Sequence, residues 1–114
     1  MNGYKALDKR VTKTVEELIE RLCADYPRRK RIIECDFRTK TDDAACEAFR
    51  QTNEKIDKAL EVVDEGIRAF ILSDIANRNG YERSMASPLI SKNSYYRMRN
   101  EAIRQMALAF NLIL

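Results

Sequence analysis

The chain has 114 residues, 45% of them hydrophobic and 34% charged, with three glycines, two prolines and a net charge of +3. That supports one modest core, is too little for two independent ones, and excludes a disordered polyelectrolyte. No apolar run approaches the roughly 20 residues of a membrane span, and the opening Met1-Asn2-Gly3-Tyr4-Lys5 lacks the apolar stretch of a secretion signal. A folded, helix-rich, cytoplasmic protein without a membrane partner is expected.

The sequence contains no histidine, and its three cysteines, Cys23, Cys35 and Cys46, are far apart. A zinc site would need unusual ligands, so buried or half-buried thiols in a reducing compartment are the expected reading, with no metal and no cofactor. The commonest general base is missing as well, and no set of base, nucleophile and metal ligand can be assembled, so no enzyme is expected. Charge is uneven along the chain: residues 1–40 carry +4, 41–65 carry −5, 66–90 carry +1 and 91–114 carry +3. Basic ends flank an acidic middle.

In chain order, Val11, Val15, Leu18, Ile19 and Leu22 form the apolar stripe of an amphipathic helix, with Thr14 and Glu17 at capping-box spacing and Asp8 as an earlier start. Tyr26-Pro27 predicts a stop and restart, because the residue before proline avoids the helical region and proline suits a first turn. The restarted segment opens on four consecutive cations, Arg28, Arg29, Lys30 and Arg31. They are either phosphate contacts or a solvated first turn whose charges oppose the helix dipole. These residues belong to a basic N-terminal region, 1–40, followed by a second region, 41–114.

Thr41 is the predicted N-cap of a helix of about 20 residues, with Asp42 and Asp43 at its positive end. Ala45, Phe49, Ile56, Ala59, Leu60 and Val63 form its apolar line, broken by Thr52 and Asn53. Packing within the same chain is favoured over a dimeric coiled coil, since two heptads with alanine in the seam are few. Asp64-Glu65-Gly66 then caps a helix with Ile67, Phe70, Ile71 and Ile75 inward and Asn79-Gly80 as its stop. Between Tyr81 and Ile90, Pro88 leaves room for a short helix at most, with Tyr81 and Met85 inward.

The last quarter opens with Ser91 as N-cap and runs on without glycine or proline. Tyr95, Met98, Ala102, Met106, Ala109 and Ile113 share one stripe, with Phe110 beside it. The opposite face carries Lys92, Asn93, Tyr96, Arg97 and Asn100, all hydrogen-bond donors and none acidic. The expected fold is all-α, about five helices ending in a helix-turn-helix-like unit, because helix, short helix, turn and long helix is the order that motif needs.

From Ile56 onward, Ile56-Asp57-Lys58-Ala59-Leu60, Ile67-Arg68-Ala69-Phe70-Ile71, Ile90-Ser91, Tyr95-Tyr96-Arg97-Met98-Arg99 and Ala102-Ile103 resemble the C-terminal half of the ArpU and RinA families of phage late-gene regulators, themselves similar to the promoter-reading unit of sigma factors. The resemblance covers about half the chain. It implies a sequence-specific DNA-binding transcriptional regulator of phage or prophage origin, with Ser91 closing the turn and Lys92, Asn93, Tyr96, Arg97 and Asn100 at contact positions. The chain departs from the pattern at Tyr81–Ser87, where these families carry an apolar first helix. By groove chemistry, Arg97 and Asn93 suit guanine and adenine, while Lys92, Tyr96 and Arg99 suit phosphates. So small a reader would need a homodimer, or contact with RNA polymerase through the acidic helix from Asp42 to Glu65. The competing expectation is a non-enzymatic protein-interaction or phage assembly or packaging module, using the apolar tail Leu112-Ile113-Leu114.

Overall fold

A computed structural model describes residues 7–39 and 43–114, and every regular element among them is helical. The helices are α1 (Lys13–Ala24), α2 (Tyr26–Thr39), α3 (Asp43–Ala59), α4 (Arg68–Asn77) and α5 (Lys92–Ala109). Only Asp25 separates α1 from α2, so the path consists of four helical segments where five separate helices were expected. Short 3-10 turns, Leu60–Val62 and Glu65–Ile67, carry the chain from α3 into α4.

The first cap is Thr12, not Thr14: its hydroxyl accepts from the Val15 N–H at 3.3 Å. Tyr26-Pro27 marks the α1–α2 junction, yet Tyr26 is already helical, so proline here occupies a first turn without opening a gap. Thr41 and Asp42 lie outside the described residues. At the far end of α4 the left-handed residue is Arg78 (φ 58°), whereas Gly80 keeps a negative φ of −88°. Arg78 N–H donates to Ile75 O and Asn79 N–H to Asp74 O, the paired bonds that close a Schellman motif. The same device ends α5, where Asn111 (φ 57°) donates to Leu108 O and Leu112 to Ala107 O.

One core draws on both sequence regions. α1 packs mainly on α4 and also on α5, α3 packs on α5 through its second half, and α2 packs chiefly on α3. Val11, Ile19 and Cys23 from the N-terminal side meet Ile56, Leu60, Val63, Ile67, Ile71 and Ile75 and the inner face of α5. Burying such side chains contributes roughly 1.5–3 kcal/mol each, the dominant favourable term in a domain of this size. The expected inward residues Tyr95, Met98, Ala102 and Met106 are buried, as are Ile103 and Ala107, which periodicity had not singled out. Leu18, Ala45 and Met85 were expected inside and are exposed. Ala86, next to Met85, takes the interior place, because a turn rather than a helix sets the direction of these side chains.

Cys23 and Cys46 are buried, while Cys35 is exposed. Burial pushes the Cys23 thiol up to about 12, so it behaves as an apolar group, in contact with the Met106 sulfur at 3.6 Å. The expected polar break in α3 has a structural use. Asn53 is buried and accepts from Arg29 Nε at 2.7 Å, and its amide donates to the Tyr26 carbonyl at 3.3 Å. Tyr26 donates its hydroxyl proton to Asp57 at 2.6 Å. These bonds strap the α1–α2 elbow to α3.

Candidate nucleic-acid interface

The segment leading into α5 is short of helix but held by a series of hydrogen bonds. Where a first helix of the motif was expected, Tyr81–Arg83 forms a single 3-10 turn. Ser84 then caps the next turn through Ala86 N–H (3.0 Å), and Ala86 O accepts from Leu89 and Ile90. The Tyr81 hydroxyl lies 2.9 Å from the Ser87 carbonyl and 2.7 Å from that of Ile90, so its proton is shared between them. Ser91 caps α5 by accepting from Ser94 N–H at 3.2 Å.

Behind α5 lies a tyrosine cluster. Tyr95 is fully buried, donates to Asp74 of α4 at 2.8 Å, and meets Tyr81 and Tyr96 edge to face, with ring centroids 5.4 and 5.0 Å away. Burial first, and the bond to Asp74 second, push its hydroxyl up to about 12. The Tyr96 hydroxyl accepts from the Tyr81 N–H at 3.2 Å. Arg99 donates to the Asn79 carbonyl and to the Tyr95 hydroxyl, with its guanidinium 5.9 Å from the Tyr95 ring centre. Tyr95 and Arg99 fix α5 to α4 and its end, and Tyr96 fixes it to the turn that begins at Tyr81.

These contacts sort the residues singled out in the sequence. Lys92, Asn93 and Arg97 are exposed and Asn100 is half-buried, and the helical repeat sets Asn93, Arg97 and Asn100 along one ridge. Lys92 pairs with Glu82 at 3.2 Å. Glu82 is held below the usual carboxylate range, first by its own backbone N–H and then by Lys92. Arg99 and Tyr96 point elsewhere. Both are half-buried and committed to protein partners, so their tips hold the scaffold where phosphate contacts had been expected.

The basic run at the start of α2 divides in the same way. Arg29 is 4% exposed and donates to Asn53, to the Leu22 carbonyl and to Asp25, which removes it from the phosphate-contact set. Its pKa is lowered from the ordinary value, mainly by burial. Arg28 bonds Asp25 at 2.6 Å and stacks 5.3 Å over Phe49, while Lys30 and Arg31 are exposed. α2 shares little packed surface with α5, so the two basic groups are not brought into one cluster.

Sequence reasoning placed a turn in front of α5 but turned one of its side chains the wrong way. Met85 is 69% exposed and Leu89 60%. The helix-based stripe placed Met85 inside. Pro88 already limits this segment to a short helix at most, and side-chain directions in a turn do not follow a helical stripe. No helix among the described residues is long and apolar enough to cross a membrane. No family model, curated protein or solved structure matches the chain.

Proposed function

We propose that this chain is a sequence-specific DNA-binding transcriptional regulator, of the kind the ArpU and RinA resemblance implies, which reads the major groove with the first half of α5. The observation that carries this reading is the outward ridge of Asn93, Arg97 and Asn100, with Lys92 beside it, on a helix whose other side is buried in the core. An α-helix fits the major groove, where arginine can donate two hydrogen bonds to guanine and asparagine can pair twice with adenine. Arg97 and Asn93 take those roles, Lys92 holds a phosphate after leaving Glu82, and Asn100 follows one turn along. Tyr96 and Arg99 set the pitch of the helix from behind.

With α4 as the supporting helix, the unit is a helix-turn-helix variant whose middle element has shrunk to a turn. So few base contacts give weak binding to a single half-site, so a homodimer on repeated half-sites, or contact with RNA polymerase through the acidic side chains of α3, completes the affinity. Fluorescence anisotropy on random-sequence duplexes at two salt concentrations, followed by sequencing of the bound fraction, tests the reading. An enriched motif and salt-sensitive binding are expected. R97A should relax the sequence preference, and K92A should weaken all sequences alike and lower the salt slope by about one. Binding absent even at low salt removes the proposal, because every DNA reader carries that electrostatic component.

A second reading, an interaction or assembly module, draws on the depression lined by Leu18, Leu22, Phe110 and Leu112 and edged by Arg21, Asp25 and Arg29. It gains less from the C-terminal tail, since Ile113 is buried and Leu112 is packed against the core. A stable oligomer indifferent to DNA would favour it.

A further inference from the structure

Met85 and Leu89 present large apolar side chains to solvent from a backbone that is not free to fold them away. Ala86 between them is fully buried, Ser87, Leu89 and Ile90 donate into the turn, and the Tyr81 hydroxyl ties Ser87 and Ile90 from beneath. The loop is a rigid platform. Two large apolar side chains held in fixed positions are available for contact with a partner.

Two observations bear on what would cover these tips. The charged residues flanking them in sequence are the exposed Arg83 on one side and Lys92, paired with Glu82, on the other, a sum of one positive charge that suits an anionic partner. The loop also runs directly into the proposed reading helix. Leu89 is four residues before Asn93, so their Cα atoms are at most about 15 Å apart, a distance of roughly four base-pair steps. In the major groove, the apolar group within reach of such a side chain is the C5-methyl of thymine.

Building on the DNA-reading proposal, we infer that Met85 and Leu89 are specificity determinants that pack against thymine methyl groups at the end of the site entered by the N-terminus of α5. The loop thereby adds a thymine preference to the base contacts of Asn93 and Arg97. No hydrogen bond is involved, so this preference is insensitive to salt, unlike the contact of Lys92.

The test is a deoxyuridine scan. Each thymine of the selected duplex is replaced in turn by deoxyuridine, which removes only the methyl group, and affinity is measured for the parent, for M85S/L89S and for M85Q/L89Q. Both replaced side chains are exposed, so the variants should melt with the parent; the glutamine pair keeps side-chain length as a second check. At one or two thymines beside the α5 entry end, the parent should lose about three- to fivefold in affinity, the factor that burial of one methyl-sized group supplies, and both double variants should lose nothing more. Equal methyl dependence in parent and variants, or no methyl dependence at all, overturns the assignment while leaving the reading by Arg97 intact. A parent that binds no duplex removes both, and R97A, which alters preference without touching the methyl effect, separates the two claims.

Discussion

Replacing Arg29 with methionine separates a structural strut from a phosphate contact. The apolar stem is kept, but the donors to Asn53 Oδ1 and to the Leu22 carbonyl are lost. An acceptor left without its donor in a buried place costs about 1–3 kcal/mol, and relief from desolvating the guanidinium offsets part of the sum. Asp25, about a third exposed and still paired with Arg28, adds little. The net loss should be about 2–3 kcal/mol, or roughly 10 °C in melting temperature for a domain of this length. Thermal and urea unfolding followed by circular dichroism measure it, with R31A, an exposed neighbour in the same run, expected to stay within about 0.5 kcal/mol. Below its melting point R29M should bind DNA as the parent does. A variant that melts within about 2 °C of the parent, or that loses DNA affinity while remaining folded, refutes the strut.

Alkaline unfolding follows from Tyr95 and Cys23. Both are held neutral in the fold with values raised to about 12, so the unfolded chain ionises first. The Tyr95 contribution is complete below pH 10 and lost between pH 10 and 12, and that of Cys23 falls away from about pH 9; urea midpoints across pH 8–12 should decline accordingly. Y95F, which leaves Asp74 without its donor, should be less stable at pH 8 and decline less steeply above pH 10. At Arg78 (φ 58°), R78G should exceed R78A in stability by about 1 kcal/mol, since glycine adopts the left-handed region without strain. Both variants lose the ion pair with Glu20, so that difference isolates the backbone; equal denaturation midpoints would refute it.

The all-helical class and the inward stripe of α5 were legible in the sequence because both follow from a 3.6-residue repeat that packing then reinforces. Tyr95, Met98, Ala102 and Met106 needed only their spacing. Asn53 and Arg29 were not legible, since each looks like a surface residue until the other is seen beside it. The same holds for Tyr96 and Arg99. A helical projection places them near the wet face, yet their lengths let them reach back to Tyr81 and Asn79, and spacing carries no information on that choice. Met85 failed for a different reason, since a helical stripe was read into a segment that is a turn.

On the DNA-reading proposal, the central position of α5 would make recognition and folding a single thermodynamic event. The helix that carries Asn93 and Arg97 is the one whose other side holds Tyr95, Ile103 and Met106, so it cannot melt locally and leave the rest of the fold standing. A duplex bound only by the folded form would therefore protect every helix at once, by about 2.7 kcal/mol at a concentration one hundred times its dissociation constant. Unlabelled DNA could then be ranked by melting temperature alone, with the whole molecule as the reporter.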